Sequence, residues 1–291
     1  MHLIAILLAL WAKQYPQQLD RLRVTDSCYR YARWLQARLP VGLWDNRAGV
    51  ALLLLPPVLV AWLIQGWFGD WLFGLGGMLL SVVALLFAFG TEHSDQLVEQ
   101  FLQAWREGDQ AFARQAAASL NGGTLPPTLG EGLPQAAVQG LFCYSHERIF
   151  GVLFWLVVLG PVGAFAYHLI VLARRFGDHH PDSGHGFRQS AREFAWVAGW
   201  LPARVTAGSF ALAGSFIHCL EGWRERRHLP ELDGNAELLA ATGFGALGLA
   251  PSNSLRDLLD QTLNDARSLI RRAIVVWLVA IALLTLFGWV P

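Results

Sequence analysis

Six polar residues stand at the ends or breaks of apolar segments and have side chains suited to chemistry: Glu147, Arg148, Asp178, Arg204, Asn235 and Glu237. A charge at the centre of a bilayer costs at least about 2.5–3.5 kcal/mol on insertion scales. Such groups are therefore expected to gather in one pocket at the rim of a membrane, paired or wetted. Arg148 and Arg204 suit a small anionic ligand, because guanidinium groups bind anions through paired N–H donors. The same set suits a purely structural ion-pair network, and both readings stand at this level. No member of the set makes a metal centre.

The elements that must hold these residues are apolar. From Ser145 the chain reads SHERIFGVLFWLVVLGPVGAFAYHLIVLARR to Arg175. A run of about 20 apolar residues is enough to cross the hydrocarbon core. The run is broken once, at Gly160-Pro161-Val162-Gly163. A single crossing would carry Arg174, Arg175 and the arginines up to Arg271-Arg272 to the outer side, against the positive-inside rule. A re-entrant path, in over 150–159 and back over 164–172, removes the conflict, and a kinked single crossing is the alternative. Backbone that is not helical at membrane depth must be buried in protein or line a wet cavity. Residues 190–220 repeat the pattern, with Leu201-Pro202-Ala203-Arg204 between apolar halves. Gly208, Gly214, Ala207, Ala211 and Ala213 offer a small-residue face for close helix packing there.

Composition agrees. Of 291 residues, 54% are hydrophobic and 15% charged, and the mean hydropathy is +0.37. That is too apolar for an ordinary soluble domain. The formal net charge is zero, so bulk charge offers nothing to nucleic acid. Thirteen tryptophans suit a chain with bilayer interfaces. Cys28, Cys143 and Cys219 are far apart and lack C-x-x-C spacing, so neither a disulfide framework nor a zinc ribbon is implied. The opening run MHLIAILLALWA has no cationic start or small-residue cleavage site and is not read as a signal peptide.

The expected fold is all-α: a polytopic membrane protein with transmembrane helices, broken or re-entrant helices and amphipathic cytoplasmic helices. Residues 13–47 form an amphipathic cytoplasmic segment, with Val24, Cys28, Tyr31 and Leu35 on one face. It lies on the membrane surface or packs on the cytoplasmic part. Residues 48–89 form a transmembrane hairpin, Ala48–Phe68 and Trp71–Phe89, with Pro56-Pro57 kinking the first span. Residues 90–148 carry cytoplasmic helices and a loop, with Ser94 and Asp109 as helix caps. Broken membrane helices occupy 149–220, a cytoplasmic segment 221–272 and a last transmembrane helix 273–290. Ser254 and Asp257 suit a capping-box variant before that helix.

Two further patterns carry less. Asp178-His179-His180-Pro181-Asp182, followed by His185, holds ligand-type side chains but matches no zinc spacing, and it reads as a solvated loop. GFGALG at 243–248 lacks the full dinucleotide-binding context. Its glycines are better suited to helix packing.

Four stretches carry a family resemblance: ERIFGVLFWLVVLGPVGAFAYHL (147–169), WLPARVTA (200–207), FLQAWREGDQAFAR (101–114) and GNAELLAATGFGALGL (234–249). In this order the chain resembles the AmpE family of bacterial inner-membrane proteins, which belongs with the CobD/CbiB adenosylcobinamide-phosphate synthases. The resemblance implies one membrane domain over residues 1–291. It matches Glu147 to the acidic residue of the synthases' A-E-N motif, Arg204 to the arginine of P-A-R and Asn235 to the asparagine of S-P-N. The chain lacks the G-D-P-x-x-x-P-H-P-V and G-R-D-T signatures, and Asp-Gly-Asn-Ala stands at 233–236. Those departures favour the AmpE side. The expected function is an inner-membrane regulator that modulates β-lactamase induction or cell-wall recycling through a cytoplasm-facing polar pocket. The alternatives are a synthase joining a corrinoid carboxylate to an aminopropanol group through an amide, and a transporter. Mg²⁺ is implied only by the synthase alternative. The expected partners are the lipid bilayer, a small anionic cytoplasmic ligand and a second copy of the chain, with no nucleic acid.

Overall fold

A computed structural model describes residues 24–68, 94–123, 132–226, 232, 234–249 and 258–287. The described residues are helical, without strands. In chain order the helices are α1 (Val24–Arg38), α2 (Val41–Trp44), α3 (Arg47–Phe68), α4 (Ser94–Glu107), α5 (Gln110–Leu120), α6 (Leu133–Ser145), α7 (Gly151–His179), α8 (His185–Ala213), α9 (Phe216–Arg226), α10 (Gly234–Ala246) and α11 (Leu259–Leu286). A π-helical turn, His146–Phe150, joins α6 to α7. Arg47–Trp67, the run Leu133–His179 and Leu259–Leu286 are long and apolar enough to cross a membrane. The second span expected of the hairpin, Trp71–Phe89, and the cap at Ser254 and Asp257 lie outside the described residues.

The chain divides into two compact units: residues 1–91, 151–198 and 280–291, and residues 92–150 and 199–279. In the first, α1 is a protein-packed helix. Its Ala32 is buried in a cluster with Trp44, Val50, Leu53, Ala173, Phe176, Phe187 and Ala191, and Tyr29, Tyr31 and Leu35 pack against that cluster. The amphipathic face thus covers a protein core.

The Gly160-Pro161 break is a reversal. Gly160 has φ 73° and ψ −164° inside α7, a backbone shape that glycine alone adopts readily. Proline then opens the second arm, where its missing N–H costs nothing. The next donor, the N–H of Val162, is satisfied by Gln65 Oε1 from α3 at 3.2 Å. A straight helix would separate residues 151 and 167 by about 24 Å. Instead Gly151 lies directly under the Tyr167 ring, where a Cβ would collide with it. The two arms therefore fold back on each other.

The turn after α7 reads from sequence as a solvated loop, and His179, Pro181, Asp182 and His185 are exposed, but its backbone is anchored to the protein. Ser183 is fully buried. Trp44 Nε1 donates to the Ser183 carbonyl at 2.7 Å, and the Trp44 ring stacks on Phe187 at 4.4 Å. Asp45 Oδ1 accepts the Phe187 N–H at 2.8 Å, so an aspartate distant in sequence caps the start of α8. Gly184 and Gly186 leave room for it, since a Cβ at either would strike Asp45. His179 and His180 use Nδ1 on the carbonyls of Arg175 and Phe176, and among the described residues no group of three or more His, Cys, Asp or Glu could hold a metal ion.

In the second unit, Asp109 Oδ1 accepts the Phe112 N–H at 3.0 Å and caps α5. Asn121 Nδ2 ties the end of α5 to α6 through the Ala117 and Ala136 carbonyls, both at 2.8 Å. Antiparallel ion pairs join α4 to α11: Arg106 to Asp260 at 2.7 Å and Arg267 to Asp95 and Glu99, each at 3.3 Å. Phe142 and Phe150 both meet Phe210, and Phe150 also meets Trp277. The glycines of 243–248 serve packing: Gly243 lies against the Phe142 ring and Gly245 against the His218 backbone. Of the small-residue face on α8 and its end, Gly214 sits tightly on Ala246, whereas Gly208 meets nothing within 4 Å.

Candidate functional site

The polar trio His146-Glu147-Arg148 occupies the π-helical turn. Such a turn carries one residue more than the α-helical pattern and occurs often at functional sites. It buries residues on more than one side: His146 is 4% and Arg148 5% exposed, and Glu147 is partly buried. The Arg148 guanidinium lies 5.7 Å from the centre of the Tyr144 ring, a cation–π distance.

His146 faces α8. Its Nδ1 is 3.2 Å from Thr206 Oγ1. The Thr206 hydroxyl already donates its only hydrogen to the Pro202 carbonyl at 2.8 Å. The hydrogen in the His146–Thr206 contact must therefore come from the ring, which assigns the Nδ1–H tautomer and leaves Nε2 with a bare lone pair. Nε2 is buried and has no hydrogen-bond partner among the described residues.

Gly199, one turn before Ala203 on α8, lies beneath it. A Cβ there would stand 3.7 Å from His146 Nε2 and 3.3 Å from Asn235 Nδ2, with no other described neighbour outside the helix within 4 Å. Asn235 is in the first turn of α10, two residues before Glu237. Cys143 Sγ sits 4.0 Å from the Ala236 carbonyl, so α6 and α10 meet beside this point. The structure thus brings His146 and Asn235 together over a glycine, and the chain places Glu147, Arg148 and Glu237 within two residues of them.

Two expected members have other surroundings. Arg204 lies about 140° round α8 from Gly199 by helical geometry. Its guanidinium stacks on Trp200 at 3.7 Å and donates to the Trp200 carbonyl at 2.9 Å. Asp178 belongs to the other unit. Its side chain is 1% exposed and pairs with Arg192 at 2.8 Å and Arg174 at 3.6 Å. Sequence reasoning passed over His146, Thr206 and Gly199. The histidine stood in plain view beside Glu147, but a π-helical turn leaves no mark in residue types, and Gly199 looks like any other packing glycine.

These features define an all-α membrane protein with a buried polar recess in a helical unit. The chain belongs to the CobD/CbiB family: the family described as CobD/Cbib protein matches residues 3–254. It is similar to the cobalamin biosynthesis protein CobD of Chromobacterium violaceum, 29% identical over 72% of this chain and 65% of the relative. It is also similar to proteins of that name from Stutzerimonas stutzeri, 29% identical over 68% of this chain and 63% of the relative, and from Brucella suis, 31% identical over 61% and 56%. The chain spans somewhat less than two thirds of the length of these relatives. No solved structure gives a significant match.

The comparisons overturn the expected AmpE-type regulator, and with it β-lactamase regulation, antibiotic resistance, signalling and cell-wall recycling. The missing signatures had weighed towards AmpE. Those motifs are a handful of positions, whereas the family match runs over most of the chain.

Proposed function

We propose that the protein is a membrane-bound synthase of the CobD/CbiB type, joining a corrinoid carboxylate to an aminopropanol group through an amide bond. Family membership over residues 3–254 sets the class. The observation that carries the reading to a site is the convergence of His146 Nε2 and Asn235 Nδ2 over Gly199. A regulator needs only a pocket; an amide-forming site needs groups that hold a nucleophile's hydrogens and orient its attack. Glu147 and Arg148, on the same turn as His146, supply charge of both signs for the amine and carboxylate partners. Arg204, stacked on Trp200, is a candidate contact to the larger anionic portion of a substrate. We place the site at the cytoplasmic rim of a bacterial inner membrane, following the arginine distribution.

Mg²⁺, which a synthase would use, has no group of three or more ligand side chains to hold it among the described residues, and no step is routed through it. The test is direct. The purified full-length chain in detergent is supplied with a corrinoid carboxylic acid, aminopropanol, a nucleoside triphosphate and Mg²⁺, and the product is weighed by mass spectrometry. A species equal to acid plus amine minus one water supports the synthase. Its absence under conditions where a curated CobD relative forms it overturns the reading.

A further inference from the structure

The recess over Gly199 has a definite hydrogen-bonding sense, and that sense selects a ligand. His146 is more than nine-tenths buried, with 4% exposure. Its Nδ1–H is committed to Thr206 because the Thr206 hydroxyl hydrogen is committed to Pro202. Nε2 is then an acceptor only, and it is buried without a partner. An unsatisfied buried polar atom is a cost to the fold. The atom points toward a backbone position without a side chain, where a Cβ would sit 3.7 Å from it. Asn235 Nδ2 closes the other side, 3.3 Å from the same point.

We propose that this recess is the subsite for the hydrogen-bond donor end of the nucleophilic substrate, a primary amine or hydroxyl group, with His146 Nε2 as its acceptor. The inference rests on the synthase reading for the substrate class, an amino alcohol. The bare lone pair excludes a carboxylate from this position, because two acceptors would face each other in a buried site. His146 thus separates the two substrates: the donor partner enters over Gly199, and the carboxylate partner must lie where arginine is available. Thr206 acts as a positioning residue that holds the tautomer.

The test uses ¹⁵N-histidine-labelled full-length protein, with aminopropanol as the donor probe and acetate as the acceptor control. In the apo protein the His146 ring is expected as the Nδ1–H tautomer. Aminopropanol should move the Nε2 resonance towards the hydrogen-bonded range, and acetate should leave it in place. His146→Asn keeps a donor where Nδ1 stands and removes the acceptor, so KM for the amine should rise at least tenfold with the melting temperature unchanged. His146→Gln puts a carboxamide oxygen near the Nε2 position and should recover much of the loss. Gly199→Ala puts a methyl group 3.7 Å from Nε2 while leaving the imidazole itself unchanged, and it should also raise KM at least tenfold, which serves if His146→Asn does not fold. An Nε2–H tautomer, or an Nε2 resonance unmoved by aminopropanol while the amide product forms, overturns the subsite and leaves the synthase standing. An Nε2 resonance that responds while no amide forms keeps the subsite and sinks the synthase.

Discussion

Asp178 and His146 are both polar and both buried, and they are wired in opposite ways. In the first unit Asp178 lies between Arg192 and Arg174, with its charge matched on two sides. In the second, His146 has one nitrogen held by Thr206 and the other open. A buried carboxylate with an arginine on its own helix and another on the next ties those helices together. A buried acceptor left open over a glycine has a cost that folding alone does not repay. Burial by itself therefore does not identify a site, and neither does an open atom, since Asp178 Oδ2 is also buried without a hydrogen bond among the described residues; the difference is that Asp178 has arginines on two sides, whereas His146 Nε2 lies over a glycine.

Removing a partner should break the comparison most visibly at Asp178. Losing hydrogen bonds to a charged group costs about 1.5–3 kcal/mol, so Asp178→Ala should lower the melting temperature in detergent by several degrees. His146→Asn should leave it in place and change only substrate handling. A mild effect for Asp178→Ala would remove the contrast.

The two glycines sharpen it further. A Cβ at Gly243 would stand 2.5 Å from the Phe142 ring, and overpacking of that kind costs about 1–3 kcal/mol. Gly243→Ala should therefore destabilise the second unit, read by thermal melting, while Gly199→Ala should not. Equal losses of stability would mean that Gly199 is a packing glycine as well.

A smaller effect is expected at Asp109, where loss of the cap on the Phe112 N–H should cost about 1 kcal/mol. Local hydrogen exchange at the start of α5 would report it. The smallest concerns Cys28 on α1. Burial pushes its thiol above the ordinary value, so its reactive thiolate is scarcer than that of a free cysteine at any pH near 8. Maleimide labelling of Cys28 should be slower than that of an unburied cysteine, and its rate should climb with pH through a midpoint above the free-thiol range. Labelling at the free-thiol rate would show that α1 is not packed as described.

Much of the architecture was legible in the residues. Helices long enough to cross a membrane follow from uninterrupted apolar runs, and the Gly160-Pro161 break follows from a residue that accepts positive φ beside one that lacks an N–H. The Asp109 cap follows from an aspartate placed before an alanine-rich helix. Asn235, a candidate from its place in the sequence, has its Nδ2 3.3 Å from where a Cβ at Gly199 would stand. Other features depended on distant partners. Asp178 looked like a pocket charge until Arg192, fourteen residues further on, was found beside it. The 178–186 turn is solvated at His179, Pro181, Asp182 and His185, and only the structure shows Trp44 and Asp45 anchoring its backbone.

The sequence by itself determined an all-helical membrane chain and the polar positions that could not lie in lipid, because hydrophobic length and local backbone chemistry are carried by consecutive residues. It could not rank those positions. Only the tertiary structure decided that His146 keeps an open ring nitrogen, because a tautomer is set by what the other ring nitrogen meets. That partner, Thr206, is sixty residues away and already committed to its own helix.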